Sequence, residues 1–94
     1  MPIKPKKAKK VLADKGFREE KDRDHSYWFF YFEGRKTNCY TYFSHGSNNE
    51  IDNSLLKRMK RELQLDYDNQ VKNLLECPLT EQDLVEILSD KGYI

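Results

Sequence analysis

Apolar residues fall at helical spacing near the start of this chain, at strand spacing through its middle, and at helical spacing again towards its end. Ala8, Val11 and Leu12 share one side of a segment that Pro5 opens and Gly16 closes. Pro suits a first helical turn and Gly a left-handed cap, so the spacing predicts a helix over residues 6–15. Residues 17–21 then read as a short strand and residues 22–24 as a turn. From His25 to Phe32 the chain is aromatic at almost every position and poor in helix formers, which is the composition of a strand. A reversal over residues 33–36 leads into residues 37–44, whose Thr and Tyr content marks the partner strand.

Beyond this hairpin, Ser47-Asn48-Asn49-Glu50 matches a capping box, and Ile51, Leu55, Met59 and Leu63, with Leu56, lay down an apolar stripe. Together they predict a second helix over residues 48–65. A third helix is expected over residues 68–75, stopped by Cys77-Pro78, and Thr80-Glu81-Gln82-Asp83 opens a fourth that carries Leu84, Ile87 and Leu88. The order α-β-β-β-α with a helical tail predicts an α+β fold, a three-stranded antiparallel sheet with helices packed on one face. No repeat, low-complexity tract or long linker interrupts it. The chain therefore reads as one domain over residues 1–94, a core over 1–65 carrying an acidic helical extension over 66–94. On the second strand Ser26, Trp28, Phe30 and Phe32 alternate with His25, Tyr27, Phe29 and Tyr31. The Trp28 face is the less polar and is assigned to the core.

Charge adds an asymmetry that the net value of +1 conceals. Residues 1–23 carry nine Lys/Arg against four Asp/Glu (+5), whereas residues 66–94 carry two against seven (−5). A basic lobe can neutralise phosphates locally while the whole molecule stays near neutral. No apolar run approaches the ~20 residues that cross a bilayer, and the start of the chain lacks the apolar core of a secretory leader, so no membrane partner and a cytoplasmic location are expected. Cys39 and Cys77 show no Cys-x-x-Cys spacing and read as free thiols, which suits a reducing compartment.

The chain's two histidines, His25 and His45, flank the hairpin. A three-residue loop at residues 34–36 sets them directly opposite each other, with β-carbons about 4.5–5.5 Å apart. A two-residue loop shifts the register by one and sets His25 against Ser44 instead. On the first register two imidazoles could divide acid and base roles in phosphodiester chemistry, one removing the 2′-hydroxyl proton and the other protonating the departing oxygen. Lys21 and Arg23 are the nearest cations in sequence, and Lys57 and Arg58 on the second helix are further candidates for phosphate contact. Tyr27, with Phe29 and Tyr31, offers either a stacking surface for bases or ordinary packing against the sheet or a protein partner. A zinc site from His25, His45 and Asp24 lacks any characteristic ligand spacing.

Lys15-Gly16-Phe17 after a first helix, a His entering an aromatic strand, Ser44-His45-Gly46, and Glu50-Ile51 leading into a Leu-rich helix together resemble HicA toxins. The likeness spans roughly residues 8–65. A subgroup with an Asp-His pair before the aromatic strand and a Cys-Pro-Leu segment in a helical tail is matched here by Asp24-His25 and Cys77-Pro78-Leu79. The resemblance implies a double-stranded-RNA-binding-domain-like fold and an mRNA interferase, an endoribonuclease held in check by a HicB-like antitoxin, with no metal or other cofactor. It also implies that His25 is the catalytic residue, with His45 as the second His. Where the family usually has Gly-Ser before that His, this chain has Arg23-Asp24, which makes Asp24 a candidate for orienting the ring.

Overall fold

The computed structural model describes residues 3–44, 50–76 and 78–94. Its elements are α1 (Pro5–Asp14), β1 (Phe17–Lys21), β2 (His25–Phe32), β3 (Arg35–Ser44), α2 (Asn53–Glu62), α3 (Asp68–Glu76) and α4 (Glu81–Asp90). The strands form one antiparallel sheet in the order β1-β2-β3. This is the α+β, α-β-β-β-α layout that the spacing predicts.

Local chemistry explains most of the boundaries. Pro5 occupies the first turn of α1, and Gly16 follows its end at φ +95°, a conformation that L residues rarely adopt. The Lys15 ammonium, buried beside that cap, donates to the carbonyls of Leu74 and, at 3.5 Å, Asn73. Those carbonyls belong to the last turn of α3, where helical acceptors lack intrahelical partners and the dipole favours a cation. At α4 the predicted capping box forms: Asp83 N–H donates to Thr80 Oγ1 at 3.1 Å, and Thr80 N–H donates to Asp83 Oδ2 at 3.0 Å. The start of α2 differs from the expectation. Asp52 is its N-cap, accepting from Leu55 N–H at 2.8 Å, so the helix begins at Asn53 rather than near residue 48; Ser47 to Asn49 lie outside the described residues.

The β2–β3 hairpin corrects the expected register. Phe32 pairs with Arg35, so the reversal is the two residues Glu33 and Gly34, both at positive φ (52° and 78°), the geometry that matches the twist of paired strands. Further along, one β2 residue, Phe30, lies opposite three β3 residues, Thr37, Asn38 and Cys39. Thr37 stabilises this bulge: its hydroxyl donates to the Phe30 carbonyl at 2.7 Å and accepts from Cys39 N–H at 3.2 Å. Beyond the bulge the register is His25 opposite Ser44, Tyr27 opposite Tyr42 and Phe29 opposite Tyr40. The expected pairing of His25 with His45 is therefore not formed, because the tighter turn and the bulge together set a register one residue away from it. His45 itself lies outside the described residues.

The Trp28 face is the core face, as assigned. Trp28, Phe30, Phe17, Cys39 and Phe43 are buried beneath Ala8 and Leu12 of α1, Leu56 and Met59 of α2, Leu74 and Leu75 of α3, and Leu84 and Leu88 of α4, in one cluster. The polar groups of the Trp28 face are answered at Trp28 and Ser26: the Trp28 indole N–H donates to Ser26 Oγ at 3.0 Å, and the Ser26 hydroxyl donates to Glu19. The free side of β3 is covered by α2 and the residues after it. Arg58 donates to the Tyr42 carbonyl at 2.6 Å, Gln64 to the Asn38 carbonyl at 3.4 Å, and the Cys39 thiol to the Leu63 carbonyl at 3.2 Å. Cys39 is a buried free thiol whose proton is held far above the ordinary range by burial; Cys77 lies outside the described residues. Among the described residues no helix is long and apolar enough to cross a membrane.

Candidate active site

The turn between β1 and β2 is built around one carboxylate. Asp22 Oδ1 accepts the backbone N–H of Asp24 at 2.9 Å and of His25 at 2.6 Å, while Asp22 N–H donates to the His25 carbonyl at 2.9 Å. An Asp at the start of a turn mimics the backbone in this way, which fixes where β2 begins and so where the His25 ring stands. The same Oδ1 lies 3.9 Å from His25 Nδ1. The carboxylate beside the imidazole is thus Asp22, and among the described residues no ion pair joins the expected Asp24 to His25. Asp24 is exposed in the turn.

His25 opens the uncovered face of the sheet. Its side chain is 35% exposed, and its ring meets Tyr42 edge to face at 5.1 Å and Tyr27 at 5.9 Å. From there the half-buried rings continue without a gap: Tyr27 to Tyr42 at 5.4 Å, Tyr27 to Phe29 at 6.3 Å, and Phe29 to Tyr40 at 5.3 Å. Cations lie on three rings of this face, Arg58 over Tyr42 at 4.0 Å, Lys36 over Phe29 at 4.1 Å and Arg18 over Tyr31 at 4.4 Å. Burial, with the nearby Asp22 charge as a smaller contribution, holds the Tyr27 phenol above its ordinary value and so keeps it neutral. Its hydroxyl is a hydrogen-bonding group rather than a base.

The predicted phosphate-binding residues have separate situations. Arg23 is exposed in the turn next to His25, and Lys57 is exposed on α2; neither forms an ion pair with a described residue. Lys21 is exposed and only loosely engaged by Glu19 at 3.9 Å. Arg58 is committed: besides the Tyr42 carbonyl and ring, its Nε lies 3.4 Å from Glu62 Oε1. Glu62 also accepts from the Thr41 hydroxyl at 3.0 Å, and partial burial raises its carboxyl above the ordinary value, with Thr41 and Arg58 pulling the other way. Residues that the sequence reading missed are Asp22 and Tyr42. The Asp22-Arg23-Asp24 turn carried a signal for the first, whereas Tyr42 reaches His25 only through register. Lys9 stands apart from them, its ammonium 5.6 Å from the Phe43 ring on the helix-covered side of the sheet.

Around this end of the sheet, a cavity of about 220 Å³ is lined by Pro5, Tyr42, Ser44, Asp52 and Arg58. Among the described residues no three His, Cys, Asp or Glu side chains gather as a metal site. Chemically, the described residues offer one imidazole for proton transfer, His25, at the junction between an aromatic surface and a turn bearing Arg23. No family model, no curated protein and no solved structure matches the chain.

Proposed function

We propose that this protein is an HicA-like endoribonuclease, an mRNA interferase in which His25 transfers the proton in cleavage of the RNA backbone. The observation that carries the reading is the placement of His25, a half-exposed imidazole fixed by the Asp22 turn at the end of an open aromatic face. The order and spacing of the motifs that resemble HicA toxins support it, and add a HicB-like antitoxin as the protein partner. His25 acts on the 2′-hydroxyl or the departing oxygen, Asp22 takes the orienting role first expected of Asp24, and Arg23, Lys21 and Lys57 engage phosphate. With Ser44 opposite His25, the reading no longer relies on a facing pair of imidazoles.

Purified protein and a labelled single-stranded RNA test this. His25→Ala is expected to lower cleavage by roughly 10²–10⁴-fold, the loss of one acid–base group, and an all-deoxyribose substrate is expected to survive. Equal rates for His25→Ala and the parent chain would end the assignment. The second reading is a non-catalytic RNA-binding or protein-interaction module, favoured by the extent of the open aromatic face. Salt separates its two forms, since binding through phosphates weakens steeply with ionic strength and an aromatic protein interface hardly changes.

A further inference from the structure

The open face of the sheet is larger than the chemistry at His25 requires. We infer that it is a stacking platform for unpaired RNA bases, on which Tyr27, Phe29, Tyr40 and Tyr42 hold a single strand and lead it to His25. This rests on the reading of the protein as an RNA-cleaving domain and names the form of RNA that it takes.

Three observations point to this occupant. The rings form one connected surface with neighbouring centroids 5.3 to 6.3 Å apart. Bases inside a duplex have both faces stacked on their neighbours, so only unpaired bases can turn a face to these rings. Charge agrees. Arg18, Lys36 and Arg58 lie on the rings, whereas the one carboxylate that the described strand residues place on this face is Glu20, occupied by Lys36 at 2.9 Å and the Tyr31 hydroxyl at 3.2 Å. Arg18 forms no ion pair with a described residue. An anionic strand therefore meets an aromatic surface that carries its own cations, Lys36 over Phe29 and Arg58 over Tyr42 within the platform and Arg18 over Tyr31 beside it, and guanidinium planes stack on bases as rings do. Continuity is the third observation, because the same surface ends at His25, whose ring touches both Tyr27 and Tyr42.

Binding is measured with the full chain and a fluorescent 2′-O-methyl single-stranded oligonucleotide, which has no 2′-hydroxyl to attack and so reports binding apart from cleavage. The parent chain is expected to bind it more tightly than a duplex of the same sequence. Tyr27→Leu and Tyr40→Leu keep apolar bulk but remove the ring, and each is expected to weaken single-strand binding by about 5- to 150-fold, the factor carried by one lost base–aromatic stack. Tyr27→Phe and Tyr40→Phe keep the ring and are expected to bind as the parent does, with circular dichroism reporting the fold of each variant. Arg18→Gln, at an exposed position on the edge strand, tests the cation beside the platform without touching the core and is expected to weaken binding and flatten its salt dependence. Unchanged affinity in folded Leu variants together with Arg18→Gln overturns the platform, as does a preference for duplex or no binding of the single strand. The two readings fail separately: Leu variants that lose binding while His25→Ala cleaves at the parental rate keep the platform and remove the nuclease.

Discussion

Asp22 Oδ1 accepts the His25 backbone N–H at 2.6 Å and stands 3.9 Å from Nδ1 of the same residue. One carboxylate thus closes the turn that starts β2 and borders the only imidazole among the described residues. Position and electrostatic environment are coupled in a single side chain, and the two can be separated by choosing which atom to remove.

Asp22→Asn retains an oxygen acceptor for the two backbone N–H groups, whereas Asp22→Ala removes it. The Ala variant is expected to lose about 1 kcal/mol of stability, the usual effect of deleting a side-chain acceptor that caps backbone donors, and the Asn variant about half of that or less. Urea unfolding measures the difference. Cleavage is expected to fall further in Asp22→Ala than in Asp22→Asn, since only the former releases the strand start that positions His25. Equal stability of both variants with the parent would show that the turn closes without this carboxylate.

Gly16 is confined both by its backbone and by its neighbours. A Cβ there would stand 2.7 Å from Glu81 Oε2 and 3.2 Å from Phe30 Cε1, at φ +95°. The Glu81 carboxylate ends a flexible side chain and can turn away, but Phe30 is fully buried and cannot. Gly34, at φ +78°, has nothing within 4 Å of such an atom. Gly16→Ala is therefore expected to destabilise by about 2–3 kcal/mol, against about 1 kcal/mol of backbone strain alone for Gly34→Ala. Thermal unfolding of the two variants checks the order, and a larger loss at Gly34 would contradict it.

Glu62 gives the fold a pH dependence whose sign follows from its surroundings. Burial raises its carboxyl above the ordinary 4.5, against the opposing effects of Thr41 and Arg58. The folded chain then holds this proton to higher pH than the unfolded chain does. The contribution is fully present below about pH 4.5 and is lost as the pH rises through the raised folded value. Glu62→Gln keeps an acceptor for Thr41 but cannot titrate. Denaturant unfolding of both proteins at successive pH values above 4.5 is expected to show the parent losing stability relative to the variant; a difference that does not change with pH removes the argument.

Element identity was available from short-range pattern because its causes are short-range. The strand spans of β1 and β2, the Thr80 capping box, the cap at Gly16 and the choice of the Trp28 face all follow from residues within a few positions of one another. The start of α2 was misplaced for the same reason: Ser47-Asn48-Asn49-Glu50 and Asp52 are competing local caps, and only the placement of Ile51 in the core beside Ile3, whose carbonyl accepts the Ile51 N–H at 2.7 Å, selects the second.

The surroundings of His25 belong to the other class. That an imidazole begins an aromatic strand is written in the chain, but its neighbours depend on how far β3 slides along β2. A two-residue turn and a bulge bridged by Thr37 set that offset, and each changes it by whole residues, so the partner becomes Ser44 and the nearest ring Tyr42. Chain composition determined that this would be an aromatic sheet covered on one side by helices. The tertiary structure decided which groups stand around its histidine, because strand register is fixed by hydrogen bonding and packing summed over the whole hairpin rather than by any one segment of it.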